Sequence, residues 1–121
     1  MVLIIDDEFD ICESIQELLA DDKIDADICP CSVSAMTKLD SGNYACVITD
    51  ICMPAINGIE LSKSIKAKYP NIIVICISSY SDLLQQDLID AKVDFCFPKP
   101  FSSESLVACV QTCLKRMLTA A

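Results

Sequence analysis

The chain has no histidine, two glycines and nine basic residues against eighteen acidic ones, and its nine cysteines include no Cys-x-x-Cys pair. Without histidine or that spacing, the usual four-ligand zinc site has no basis. The closest cysteine pairs are Cys29-Pro30-Cys31 and Cys109 with Cys113. Each could place two ligands on one face, which is half of what zinc needs. Most of the others interrupt apolar runs, as Cys46, Cys76 and Cys96 do. They are expected to be small buried hydrophobes in a reducing compartment. With two glycines there is no Gly-rich loop to cradle a nucleotide. A net charge of −9 argues against direct nucleic-acid binding, which requires a basic stripe, and directs attention to protein partners. Long apolar runs are also missing. The longest, Ile72–Ile77, is far short of the roughly 20 residues that a membrane span requires. The apolar run that opens at Val2 has the length of a strand, not of a secretory leader, so the expected location is cytoplasmic.

What is present is a core-forming composition. Hydrophobic residues make up 53% of 121 positions, enough for one domain spanning residues 1–121. Continuous apolar runs of strand length alternate with stretches of helical period. Strands are expected at Val2–Ile5, Ala26–Cys31, Tyr44–Thr49, Ile72–Ile77 and Val93–Phe97. Helices are expected from Phe9 to Ala20, from Ser32 to about Leu39, from about Ile59 to Lys68, after Ser81-Asp82, and after Ser102 or Ser103. Asp7 or Glu8 could cap the first helix. Pro30 suits an edge or the end of its strand. The alternation predicts a parallel sheet covered by helices on both faces.

Polar residues interrupt this pattern where strands end. Val2–Ile5 runs into Asp6-Asp7, and Cys46–Thr49 runs into Asp50. Ile72–Ile77 runs into Ser78, and Phe95–Pro98 runs into Lys99. Taken singly, each has a plain structural reading: acids at a helix N-terminus, a turn aspartate, a capping serine, a surface lysine. Taken together they coincide with the carboxyl edge of a parallel sheet, where ligands bind. Three carboxylates in one crevice repel unless a hard cation joins them, and Mg²⁺ (or Mn²⁺) meets that need and brings phosphate with it. Asp50 is the candidate nucleophile, since a carboxylate can accept a phosphoryl group as an acyl phosphate. Asp6 and Asp7 are candidate metal ligands. Lys99 and Ser78 are candidates for contacting phosphoryl oxygens. Nothing in the chain would hold ATP, so the phosphoryl group must arrive on another molecule.

These residues resemble the response-regulator receiver domains of bacterial two-component signalling. The resemblance runs from Val2 to about Met117. It rests on Ile4-Ile5-Asp6-Asp7-Glu8, on Asp50-Ile51-Cys52-Met53-Pro54 with Gly58, on Ser78, and on Lys99-Pro100-Phe101. It implies a flavodoxin-like, doubly wound sheet of five parallel strands in the order 2-1-3-4-5, flanked by five helices. It implies that Asp50 takes its phosphoryl group from a phosphohistidine on a histidine kinase or a histidine phosphotransfer protein. It also implies a third metal ligand beside the acids, the backbone carbonyl of Cys52. An output domain or a separate effector protein would then read the phosphorylated state. Two positions depart from the family pattern. Cys96 stands where members usually carry a switching aromatic, and Lys92-Val93 replaces a small pair. Transmission is therefore expected through the segment after Ser78 and the helix bearing Leu83, Leu84, Leu88 and Ile89.

Two rival readings are weighed against this one. An aspartyl-phosphate phosphohydrolase needs an acid two residues after its nucleophile. Asp50 lacks one, whereas Asp6 has Glu8. A receiver-like binding module without phosphorylation would not need the complete acidic set.

Overall fold

In the computed structural model, strands and helices alternate as the periodicity predicts from residue 2 to residue 78. The structure describes residues 1–50, 58–78, 93–98 and 102–120. Its elements are β1 (Val2–Ile5), α1 (Phe9–Asp21), β2 (Ala26–Cys29), a 3-10 turn (Ser32–Ser34), α2 (Ala35–Ser41), β3 (Cys46–Asp50), α3 (Gly58–Lys68), β4 (Ile73–Ser78), β5 (Phe95–Pro98) and α4 (Ser103–Ala120). The five strands form one parallel sheet in the expected order, β2-β1-β3-β4-β5. Four of the five expected helices are described. The one expected after Ser81-Asp82 lies outside the described residues.

The two-residue period of the strands divides the core. Leu3, Ile5, Val47, Val74 and Cys76 face α2 and α3, where they meet Ala35, Leu39, Leu61 and Ile65. Val2, Ile4, Cys46, Ile48, Ile75 and Ile77 face α1 and α4, where they meet Cys12, Ile15, Leu19, Leu106 and Val110. A strand buried on both faces needs an unbroken apolar run, which β1 has at all four of its positions. Truncating a side chain such as Ile4 to Ala would cost about 2–5 kcal/mol.

The connections show where local chemistry decides. α1 closes with Lys23 in the left-handed region at φ 61°. Lys23 N–H donates to the Ala20 carbonyl and Ile24 N–H to the Leu19 carbonyl, both at 2.9 Å. This is the paired closing bond of a Schellman end, here with lysine where glycine is usual. The 3-10 turn delays α2 to Ala35, later than the sequence reading placed it. β2 stops at Cys29, just before Pro30 and at the sheet edge. Gly42 follows α2, and a Cβ there would run into the Tyr44 ring, so glycine admits this close approach. At the start of α4, Ser102 Oγ accepts Ser105 N–H at 3.3 Å, the predicted cap.

Candidate functional site

β1 lies between β2 and β3, although β2 follows it in the chain. The crossovers therefore diverge between β1 and β3, and the crevice opens at their carboxyl ends. Register places the acids there. Ile5 is level with Thr49, so Asp6 and Asp50 are the next positions on neighbouring strands. Carboxylate oxygens of Asp6, Asp7 and Asp50 all lie within 4.8 Å of one another, the only such cluster of metal-binding side chains among the described residues. Asp6 and Asp50 are 3% and 7% exposed. Asp7 is exposed.

This spacing fits a hard divalent ion. Oxygen ligands about 2.1 Å from Mg²⁺ stand about 3–4.2 Å apart, so three carboxylates this close can share one octahedral ion directly or through water. Register extends the site toward the other edge. Asp50 is level with Ile77, so Ser78 lies one residue beyond it, and Ser78 is level with Pro98. β5 therefore ends at Pro98 beside the end of β4. Cys52 and Lys99, the expected carbonyl ligand and phosphoryl contact, lie outside the described residues. For Ser78 the strand position is described.

Several contacts fix the acids. Glu8 N–H donates to Asp6 Oδ1 at 2.9 Å, turning the chain from β1 into α1. Glu8 occupies the N-cap without a side-chain cap bond, so the expected capping role of Glu8 is not observed and Asp6 supplies the turn instead. Asp6 N–H donates to the Cys29 carbonyl at 3.3 Å. The Cys12 thiol donates to the Asp6 carbonyl at 3.5 Å. Burial first, and then the Asp6 charge, push the Cys12 thiol up to about 12, so it keeps its proton at neutral pH. The Thr49 hydroxyl donates to the Asp50 carbonyl at 3.0 Å. Sequence reasoning missed Cys12, Thr49 and the Cys29 carbonyl. Cys12 reads as one more apolar position of α1, and only the packing of α1 onto β1 brings it to Asp6.

Cysteine burial follows the expectation at Cys12, Cys29, Cys46, Cys76 and Cys113, whereas Cys96 and Cys109 are half-buried and Cys31 is exposed. Cys96 is level with Cys76 and packs with the α2–α3 core, while Phe95 and Phe97 pack on the opposite face. Neither neighbouring aromatic shares the face of Cys96, and only a register slip would bring one there. The segment expected to carry the switch signal, with Leu83, Leu84, Leu88 and Ile89, lies outside the described residues.

The site is set in an acidic quarter of the molecule. Residues 1–31 carry ten acids and one lysine, and the rest of the chain carries eight of each sign. The whole net charge therefore resides in the segment that forms β1, α1 and β2. Among the described residues no helix is long and apolar enough to cross a membrane.

A flavodoxin-like parallel sheet with three carboxylates clustered at its switch point defines an α/β domain with an acidic cluster suited to a cation. The model of the response regulator receiver domain matches residues 2–111, and the chain belongs to that family, the phosphoacceptor modules of two-component signalling. It is similar to a transcriptional regulatory protein, the CpxR homologue of Haemophilus influenzae, with 30% identity over 116 residues, 95% of this chain and 50% of that one. It is similar to regulatory protein VanRB of Enterococcus faecalis, with 30% identity over 115 residues, 95% of this chain and 52% of that one. The chain spans about half the length of these curated relatives. Among solved structures, it is similar to response regulator TrrA of Thermotoga maritima, determined in complex with Mg(2+)-BeF. That similarity has a TM-score of 0.84, 32% identity, and coverage of 93% of this chain and 96% of that one. The receiver domain of Francisella response regulator 1452 gives a TM-score of 0.87 at 26% identity, covering 96% and 97%.

Proposed function

We propose that Asp50 is the phosphoacceptor. A carboxylate oxygen of Asp50 attacks the phosphorus of a phosphohistidine on a histidine kinase or histidine phosphotransfer protein. An acyl phosphate forms, and the bond to the imidazole nitrogen breaks. Asp6, Asp7 and Asp50, with the Cys52 carbonyl, would hold Mg²⁺ or Mn²⁺. When bound, the cation supplies neutralisation of the charge that gathers on the transferring group. Lys99 and Ser78 contact phosphoryl oxygens. The near-complete burial of Asp50 limits access by bulk water. Residues 1–121 act as one receiver unit that assists its own phosphorylation and dephosphorylation and turns over no separate substrate. An output domain or an effector protein reads the result in the cytoplasm. This unit itself binds neither nucleic acid nor membrane, consistent with the acidity of its β1–α1–β2 quarter.

The observation that carries this reading is the convergence of Asp6, Asp7 and Asp50 within 4.8 Å at the switch point. Incubation with acetyl phosphate and Mg²⁺, followed by intact mass and peptide mapping, tests it. One phosphoryl group on Asp50, lost slowly, is the expected result. Repeated turnover of the donor would establish a phosphohydrolase instead. No phosphoryl gain and no turnover would leave only a binding module.

A further inference from the structure

Asp6 must satisfy two demands at once. Its carboxylate has to stay within reach of Asp7 and Asp50, and its backbone has to leave the sheet and start a helix three residues later. The paired residues of β1 end at Ile5, so Asp6 lies beyond the regular ladder. A backbone carbonyl at a buried position needs a donor, or it costs free energy. The Cys12 thiol, one turn inside α1, is such a donor at 3.5 Å. It reaches Asp6 from within α1, whereas the Cys29 carbonyl belongs to β2 and the Glu8 amide to the α1 N-cap. Cys12 is fully buried in the core between α1 and the sheet, so its position follows the packing of the helix.

We propose that Cys12 is a positioning residue for Asp6. Its thiol ties the Asp6 carbonyl to α1 and thereby holds the Asp6 carboxylate at the spacing that a divalent cation requires. This rests on the reading of Asp6, Asp7 and Asp50 as a cation site. It adds a buried thiol that sets how tightly the site binds. Donors behind metal ligands commonly shift affinity without touching the metal. A single hydrogen bond, and a weak one through sulfur, corresponds to an effect of about three- to tenfold.

Three variants separate the hydrogen bond from mere packing. Cys12→Val keeps the volume close and removes the donor. Cys12→Ala removes both, and Cys12→Ser keeps a donor. Each is titrated with Mg²⁺ by calorimetry, and each is phosphorylated with acetyl phosphate across a Mg²⁺ series. Thermal unfolding without metal reports the purely structural cost. Val and Ala are expected to weaken Mg²⁺ binding by about three- to tenfold, with Ser within about twofold of the wild type. The Mg²⁺ concentration for half-maximal phosphorylation should rise by the same factor, more than the rate at saturating Mg²⁺ falls. A role in packing alone would lower the melting temperature and leave the Mg²⁺ dependence unmoved. Should Val fail to fold, Ala against Ser decides. Mg²⁺ binding by Val or Ala within twofold of wild type overturns the proposal, and so does a Ser variant as weak as Ala. A wild type that does not bind Mg²⁺ at all overturns the cation site itself, a distinguishable failure.

Discussion

The two ends of the sheet treat the same residue type in opposite ways. At the carboxyl end, three aspartates face one another within 4.8 Å. At the amino end, aspartates face cations and hydroxyls. Asp40 accepts from Lys68 at 2.8 Å and also from the Tyr69 hydroxyl. Asp94 meets Lys66 at 2.7 Å and accepts Val74 N–H at 2.8 Å, and Lys66 also donates to the Ile72 carbonyl. Asp27 accepts the Tyr44 hydroxyl at 2.6 Å, and burial followed by that bond pushes the tyrosine up to about 12. Matched charges at the amino end fasten the loops between helices and strands. Like charges held together at the other end repel one another, an arrangement that suits a cation. One end stabilises the fold, and the other is set up for chemistry.

The largest test of this contrast is Asp50→Asn. An amide cannot serve as the nucleophile, yet it keeps the volume, so phosphorylation by acetyl phosphate should vanish while far-UV circular dichroism stays that of the wild type. A variant that still gains the phosphoryl group at the same level would place the acceptor elsewhere. Asp7→Ala comes next. Mg²⁺ at ten times its dissociation constant should stabilise the wild type by about 1.4 kcal/mol, and Asp7→Ala should lose most of that shift in melting temperature. An unchanged wild-type transition in millimolar Mg²⁺ would remove the contrast between the ends.

At the opposite end, Lys66→Met should destabilise the fold by about 1–3 kcal/mol, because Lys66 and Asp94 are only 12% and 33% exposed and the variant leaves the carboxylate facing an apolar chain. Denaturant unfolding measures it, and Mg²⁺ affinity should stay unaltered. The smallest effect belongs to Asp40. The bonds from Lys68 and then Tyr69 hold its carboxyl below the usual aspartate range. A depressed carboxylate contributes stability that is present above its unfolded value, about 3.9, and is lost as pH falls through the lower folded value. Wild type should therefore exceed Asp40→Asn slightly in melting temperature at pH 6, and the gap should close in acid and narrow with salt. A gap that persists at pH 2 would show that the charge is not its source.

The core was legible because both of its periods are written in the chain. Val2–Ile5 and Ile72–Ile77 are apolar without interruption, which only a strand covered on both faces permits. The strand bounds moved by a residue or two, as at β5, which begins at Phe95 instead of Val93; there the Asp94 carboxylate, not a strand carbonyl, takes the Val74 N–H. Asp6, Asp7 and Asp50 were legible as polar residues that end apolar strands. Cys12 was not, since a buried thiol on a helix has the same pattern as any apolar residue until α1 docks.

The sequence by itself determined the alternation of elements, the acids at the strand ends and the family, because periodicity, capping residues and short motifs are local properties of the chain. Tertiary structure alone decided the rest. Asp6 and Asp50 are far apart in the chain and become neighbours only because β3 pairs with β1. Which face Cys96 shares, and which aspartates meet lysines instead of one another, depends on register and on the docking of helices. These are long-range contacts that no local pattern encodes.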